Sequence, residues 1–280
     1  MSMARSAGRL VVLGAEGSDG RADLTGERAF LSACAVLFVA GAWGTIVWCG
    51  SMSGGMPMQG GWTMSMAWMR MPGQSWPGAF AMFMGMWVVM MVPMMLPSLV
   101  SMLSNYRRSV RGEGEIPLGR LTALAGAGYF LVWALFGAAA YPLGVALAAA
   151  EMRSPTLAKA VPLATGAVLL FAGGLQLTPW KVRQLVCCRE TPSCGESLPP
   201  RAGSAWRHGL GLGVHCGLCC LGFMLILLAS GVMDLGVMAG VAAAITAERL
   251  APRPERIARA LGAIAIAGGA LAVARALGAA

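Results

Sequence analysis

The feature that most constrains this chain is a series of apolar stretches, each long enough to cross a lipid bilayer. A transmembrane helix needs about 20 consecutive, mostly apolar residues, and stretches of this length follow one another from Phe30 to the carboxyl terminus. Only 12% of the residues are charged and 57% are hydrophobic, whereas soluble domains carry about 25% charged residues. The sequence therefore predicts an all-α protein, a polytopic bundle of transmembrane helices surrounded by the lipid bilayer.

Seven spans are predicted, the sixth of them short. They cover residues 30–49, 79–103, 121–149, 157–177, two helices within 208–247, and 257–277. Pro93 and Pro97 are expected to kink or break the second span, because proline lacks a backbone donor. Residues 1–28 are predicted to form a mobile polar tail, and residues 29–280 a single transmembrane helical domain with an outer loop at 50–78.

The distribution of basic residues predicts the orientation of the chain. The formal net charge is +9, and most Arg and Lys lie in the tail and in the alternate loops 104–120, 178–207 and 248–259. A nucleic-acid-binding protein gathers its basic residues on one soluble face instead, so nucleic acid is not an expected partner. By the positive-inside rule the amino terminus is cytoplasmic and the loop 50–78 faces outward.

The outer loop and the second predicted span are dense in methionine. Seven methionines lie between Met52 and Met71, and eight more between Met82 and Met102. At helical spacing the second group forms two stripes, one of which is expected to line a path. Thioether sulfur is a soft, neutral ligand that favours Cu(I), although methionine also serves as adaptable core packing. The candidate ligands here are Met64, Met66, Met86, Met90, Met91, Met94 and Met95.

The strongest single pattern is the stretch HGLGLGVHCGLCC in the fifth predicted span. It contains His208, His215, Cys216, Cys219 and Cys220. Residues three or four apart share one face of a helix, so several of these side chains are expected to converge on one metal ion. Thiolate and thioether donors favour Cu(I), while the combination of histidine and cysteine leaves zinc open. The alternative is that the cysteines are small apolar residues that only pack.

Two further expectations concern the surroundings of this pattern. Its glycines, among them Gly209, Gly211 and Gly213, are expected to let another helix approach closely. Near the next predicted helix end, Glu248 is expected to form an ion pair with its neighbour Arg249.

Three stretches carry a resemblance to a known family. They are MWVVMMVPMMLPS in the second span, GGLQLTPWK followed by CCRE after the fourth, and HCGLCCLGFMLILLASGVMDLGVM continuing to AERLAP. Over about residues 75–275 the chain is similar to the predicted metal-binding integral membrane proteins grouped as domain of unknown function 2182, found mainly in bacteria. The resemblance implies a multi-pass protein of the bacterial inner membrane that binds metal, with no enzymatic activity attached.

These patterns lead to one principal hypothesis and two alternatives. The chain is expected to be a non-enzymatic protein that handles Cu(I), for uptake or for delivery to a cuproenzyme, with a periplasmic or cytoplasmic copper chaperone as a candidate partner. The first alternative is a membrane thiol-disulfide oxidoreductase that uses Cys216 and Cys219 as its redox pair. The second is a structural subunit. No GxxxxGK[ST] loop occurs in the sequence, so nucleotide-driven transport is not expected.

Overall fold

The computed structural model describes residues 3–51, 55–58, 62–110, 116–190 and 198–278, with the side chains of residues 3–24 and 187–190 outside the description. Eight α-helices form within these residues. They are α1 (Met3–Ser51), α2 (Trp76–Ser109), α3 (Leu118–Arg153), α4 (Pro155–Gln176), α5 (Pro179–Glu190), α6 (Ala202–Ser230), α7 (Leu235–Leu250) and α8 (Pro254–Gly278). Between α1 and α2, strand β1 (Met56–Pro57) pairs antiparallel with β2 (Thr63–Met64), and a 3-10 helix covers Met66–Trp68.

The prediction of an all-α bundle is confirmed. Six of the described helices are long and apolar enough to cross a membrane: the Thr25–Ser51 part of α1, and α2, α3, α4, α6 and α8. The short segment predicted as the sixth span forms α7, which has 16 residues. At 1.5 Å per residue α7 is about 24 Å long, less than the roughly 30 Å of a hydrocarbon core. Among the described residues, the bundle thus has six helices of spanning length and two shorter helices, α5 and α7.

Helices α2 and α6 form the centre of the bundle. Half of the most apolar window of each is buried, whereas the windows of the other four long helices are only 11–22% buried. Side chains that are apolar and still exposed in a folded bundle are suited to face lipid rather than water. The side chains of α2 and α6 are therefore the most deeply buried among the six long helices.

Helix α2 continues through its two internal prolines. The expected break at Pro93 and Pro97 does not occur, and the helix extends to Ser109. Within an apolar bundle the remaining backbone groups have no solvent to bond, so the helix is retained around the missing donor at each proline. Helix α1 packs directly on this region, because a Cβ atom added at Gly41 would lie 2.9 Å from the ring Cδ of Pro93.

Glycines bring α3 and α6 into backbone contact. A Cβ atom at Gly213 would lie 2.8 Å from the Val132 side chain and 3.0 Å from the Tyr129 carbonyl, and one at Gly209 would overlap the Ala125 carbonyl. Gly211 has no neighbour within 4 Å of such an atom. Gly209 and Gly213 therefore allow the close approach that the sequence predicted, while Gly211 plays no part in it.

The α4–α8 pair is built in the same way. Four of the glycines on these two helices would place a Cβ atom within 3.1 Å of a backbone atom on the opposite helix; they are Gly166, Gly173, Gly262 and Gly269. Small residues on both sides of a crossing let two helices pack without a hydrophobic driving force between them. This contact fixes α8 on α4 at the edge of the bundle.

Replacing Gly213 with alanine is expected to destabilise the protein by about 1–3 kcal/mol, because the new methyl group overpacks the α3–α6 contact. Gly211→Ala is the matched control on the same helix, and its methyl group meets open space. Thermal unfolding in detergent measures both. Equal unfolding temperatures for the two variants would contradict the close contact at Gly213.

Candidate metal centre

Helix α6 places three thiols in the core of the bundle. Cys216, Cys219 and Cys220 lie near the middle of the helix, and each is at most 2% exposed. Because Cys216 and Cys220 are one turn apart on the same face, their Sγ atoms come within 4.0 Å of each other. The Tyr129 hydroxyl of α3 lies 3.0 Å from the Cys216 Sγ. This thiol pair therefore faces the neighbouring helices and not the outer surface of the bundle.

A buried arginine contacts both thiols. Arg249, in the last turn of α7, is 7% exposed. Its Nη2 donates to the Sγ of Cys216 at 3.2 Å and of Cys220 at 3.5 Å, and its Nη1 lies 3.9 Å from the Sδ of Met102 on α2. One guanidinium thus brings together sulfur atoms from two helices. We call Cys216, Cys220 and Met102 the sulfur cluster.

A buried ion pair lies beside the sulfur cluster. The Lys181 Nζ is 2.7 Å from one Glu248 carboxylate oxygen, and Gln176 donates to the other at 2.9 Å. Lys181 also donates to the Cys219 carbonyl at 2.7 Å, which joins α5 to α6. The predicted pairing of Glu248 with Arg249 is wrong: Glu248 pairs with Lys181, and Arg249 reaches the thiols.

The two histidines are arranged differently from the thiols. His208 stacks on Tyr106 with ring centroids 5.0 Å apart, about two helical turns before Cys216. His215 is partly buried and lies about 100° around the helix axis from Cys216. Within the described residues, no three His, Cys, Asp or Glu side chains are placed to hold one metal ion. Of the three or four ligands predicted to converge on one side of α6, the structure brings the Cys216 and Cys220 thiols together, and a site on α6 would be built on this pair.

A row of buried methionines runs along α2 to the sulfur cluster. Its members are each at most 4% exposed: Met86, Met90, Met91, Met94, Met95 and Met102. Both predicted stripes contribute, so the row is not confined to one stripe as expected. From Met86 to Met102 the helix rises about 24 Å at 1.5 Å per residue. We call these six side chains the methionine row.

A pocket lined by thioethers lies at the other end of the methionine row. Its methionines are Met66, Met69, Met71, Met82, Met86 and Met233. Gln74 and Trp48 are part of the same lining, and the Gln74 amide nitrogen is 3.7 Å from the Met82 Sδ. We call this the methionine pocket. Met86 belongs to both the pocket and the row, so the two are continuous.

The pocket includes residues that the sequence did not single out. Of the two predicted loop ligands, Met66 lines the pocket, whereas Met64 is buried in β2 outside that lining. Met52 lies outside the described residues. Met233 comes from the turn between α6 and α7, and its Sδ is 4.0 Å from the Cys49 thiol. A single methionine in a turn carries no sequence signal, so only the fold could reveal it.

Glu248→Gln is expected to destabilise the protein by about 3–5 kcal/mol, because it leaves the Lys181 charge uncompensated in the interior. The matched control is Glu255→Gln, which removes an exposed pair with Arg259 at 3.8 Å and is expected to cost no more than about 0.5 kcal/mol. Thermal unfolding of the two variants side by side checks this. A loss for Glu248→Gln no larger than for Glu255→Gln would show that the interior pair is not desolvated.

The comparisons with known proteins point to copper. The family model described as PpoB2, copper chaperone, matches residues 84–272. The matched segment contains the methionine row and the sulfur cluster, and begins after the loop 50–78. No curated protein and no solved structure matches the chain. Because the match covers well over half of the 280 residues, the chain belongs to the PpoB2 family of copper chaperones.

Proposed function

We propose that this protein binds Cu(I) within the membrane at Cys216 and Cys220 and passes it to another copper protein. The observation that carries the proposal is a pair of buried thiols 4.0 Å apart in a chain of a copper-chaperone family. Thiolate sulfur is a soft ligand that suits Cu(I) better than the harder ions. Binding of the ion releases the thiol protons, since only the thiolate is a ligand.

The spacing of the sulfur atoms fits one shared ion. With metal–sulfur bonds of about 2.3 Å, two sulfur atoms 4.0 Å apart subtend about 120° at the ion. This angle leaves one side of the ion open to a third donor. The Met102 thioether lies against the same guanidinium as both thiols and is the donor that we assign to that side. The resulting site has three sulfur ligands.

The methionine pocket and the methionine row provide a path toward this site. Neutral thioethers bind Cu(I) through softness alone, whereas thiolates add the attraction of opposite charge. The free energy of the bound ion therefore falls as it moves from Met66 and Met82 in the pocket, past Met86, to Cys216 and Cys220. We assign the pocket to capture and the thiols to retention before transfer.

The distribution of charge supports an orientation for the protein. We assign the amino terminus to the cytoplasm and the methionine pocket to the outer face of the bacterial inner membrane, because the basic loops lie at the opposite ends of the helices. Copper would then be taken up from the periplasmic side and handed to a cuproenzyme or to a soluble copper chaperone. Hand-over to a stronger thiolate site completes the transfer without nucleotide hydrolysis.

The thiol oxidoreductase alternative lacks a comparable observation. Its predicted redox pair, Cys216 and Cys219, lies on a continuous helix, and each residue is at most 2% exposed. Thiol-disulfide exchange requires a partner thiolate to reach the sulfur that it attacks. The burial of this pair does not provide such access.

Replacing Cys216 and Cys220 together with alanine is expected to lower bound copper from near-stoichiometric to background. The measurement is elemental analysis of detergent-purified protein after anaerobic loading with Cu(I) and removal of loosely bound ions. Cys34→Ala is the matched control, since Cys34 is a buried thiol on α1 outside the sulfur cluster, and it is expected to retain copper. Unchanged copper in the double variant would refute the proposed site.

Replacing Met66, Met82 and Met233 with leucine is expected to slow copper acquisition several-fold and leave the final copper content unchanged. Leucine keeps the volume of methionine and removes the thioether ligand, so capture is affected and retention is not. Stopped-flow mixing with a Cu(I) donor measures the rate of copper binding. Met152→Leu, on a half-exposed methionine of α3 outside the pocket, is the control. A triple variant as fast as this control would exclude the pocket from capture.

A further inference from the structure

Copper bound at the sulfur cluster lies where an acceptor cannot reach it. Cys216 and Cys220 are each at most 2% exposed, and Met102 is 4% exposed. An acceptor takes Cu(I) by bringing its own ligand into contact with the ion. The burial that denies a partner thiolate access to these sulfur atoms denies it to the acceptor as well. The ion must therefore pass to a ligand nearer the surface before it is handed over.

The helices that hold the sulfur cluster show in which direction such a ligand lies. The methionine pocket is near the start of α2, at Met82 and Met86. At the other end of α2, the Ser109 carbonyl accepts from the Leu198 N–H at 2.9 Å, and α6 begins four residues after Leu198. The end of α2 and the beginning of α6 therefore lie at the same end of the bundle, opposite the pocket. We call it the exit end.

His208 places an imidazole between the sulfur cluster and the exit end. At 1.5 Å per residue it lies about 9 Å along α6 from Ala202, the first residue of the helix, whereas Cys216 lies about 21 Å from it. The His208 ring stacks on Tyr106 with 5.0 Å between the centroids, and Tyr106 follows Met102 by one turn of α2. Unlike the thiols, His208 is partly exposed. The imidazole is thus next to the cluster and closer to the surface.

The Tyr106 hydroxyl is a second sign of a polar site at this position. Tyr106 is 0% exposed, and within the described part of the chain its hydroxyl has no hydrogen-bond partner. A buried hydroxyl without a partner is costly, and in native proteins such a group calls for an explanation, such as an ion or a functional role. Passage of a cation beside the stacked rings supplies one.

Imidazole is a suitable intermediate ligand for Cu(I). Its ring nitrogen binds copper, but it is neutral and lacks the attraction of opposite charge that a thiolate adds. It therefore binds the ion less strongly and releases it more readily. One of its two nitrogens can ligate a metal while the other keeps a hydrogen bond. An existing contact of the His208 ring does not prevent it from binding the ion.

We infer that His208 is the exit ligand, which accepts Cu(I) from the sulfur cluster and presents it to the acceptor. This inference rests on the proposed function, because it assigns the transfer step of the same site. Copper remains Cu(I) throughout. Its bonds to sulfur break as a bond to an imidazole nitrogen forms, and the thiolates take back from water the protons that binding released. Since the thiolates bind the ion more strongly, His208 holds it only during transfer.

The test measures how fast copper-loaded, detergent-purified protein releases Cu(I) to excess bathocuproine disulfonate under anaerobic conditions. All variants carry the leucine substitutions of Met66, Met82 and Met233, so that release through the methionine pocket is slowed. His208→Phe is expected to bind the same amount of copper as this background and to release it at least fivefold more slowly. His215→Phe, on the same helix, is the matched control and is expected to release copper at the background rate.

A second substitution separates a ligand role from a packing role. His208→Phe keeps an aromatic ring to stack on Tyr106 and removes the nitrogen ligands, whereas His208→Met loses the ring and keeps a ligand for Cu(I). The inference predicts release from His208→Met close to the background rate and slow release from His208→Phe. Equal rates for the two variants, or release from His208→Phe at the background rate, overturn the inference.

A variant that does not fold still leaves a comparison. Should His208→Phe not fold, His208→Leu replaces it, since leucine and methionine have similar volumes and only methionine is a ligand. Slower release from His208→Leu than from His208→Met supports the exit ligand, and equal release overturns it.

Failure of the inference is distinguishable from failure of the proposed function. If the Cys216 and Cys220 double variant retains as much copper as wild type, the thiol site itself is wrong and the inference falls with it. If copper is lost in that variant while His208→Phe releases copper at the background rate, only the inference fails.

Discussion

The centre of this bundle is organised by charged side chains that are held where water cannot hydrate them. A desolvated cation or carboxylate is tolerated only beside a partner of opposite charge or one that forms strong hydrogen bonds. Lys181, Glu248 and Arg249 meet this condition together, through the ion pair at 2.7 Å and the contacts of the guanidinium with two thiols. Since these residues come from α5 and α7, their partners on α6 fix where both helices lie.

This constraint gives the short helix α7 its place. At 16 residues it is too short to span a bilayer alone, yet two residues of its last turn reach the core. Its other end is fixed by the Asp234 carboxylate, which accepts from the Gly236 and Val237 backbone N–H groups. The helix is thus capped at one end and bound by buried charges at the other. Its contribution to the site is the delivery of Arg249 to the sulfur atoms.

Close packing of small residues supports the same arrangement. Gly213 lies one turn before Cys216 on α6, and its contact with α3 places the Tyr129 hydroxyl 3.0 Å from the Cys216 thiol. Methionine fills the space on the other side, where unbranched thioethers pack and remain polarizable. The packing of this core and its suitability for a soft ion therefore arise from the same side chains. A core of leucine and valine could pack equally closely, but its side chains would provide no ligand for the ion.

The sequence predicts the helices well and the centre only in part. Long apolar stretches identify the spans, and the i, i+4 spacing of Cys216 and Cys220 predicts their contact, because both signals are local. The roles of Lys181 and Arg249 depend on which helices meet, so no local pattern could pair Glu248 with a residue 67 positions earlier. The family resemblance named the stretches that contain Gln176, Cys216 and Arg249, but their mutual contacts required the fold.

In the proposed site, sulfur atoms of the core hold the copper. X-ray absorption spectroscopy at the copper edge, on anaerobically loaded wild-type protein in detergent, tests it most directly because it reports the elements bound to the ion. We expect only sulfur atoms bound to the ion, from Cys216, Cys220 and Met102. A shell that contains imidazole nitrogen, from His208 or His215, would contradict it and move the copper away from the guanidinium of Arg249.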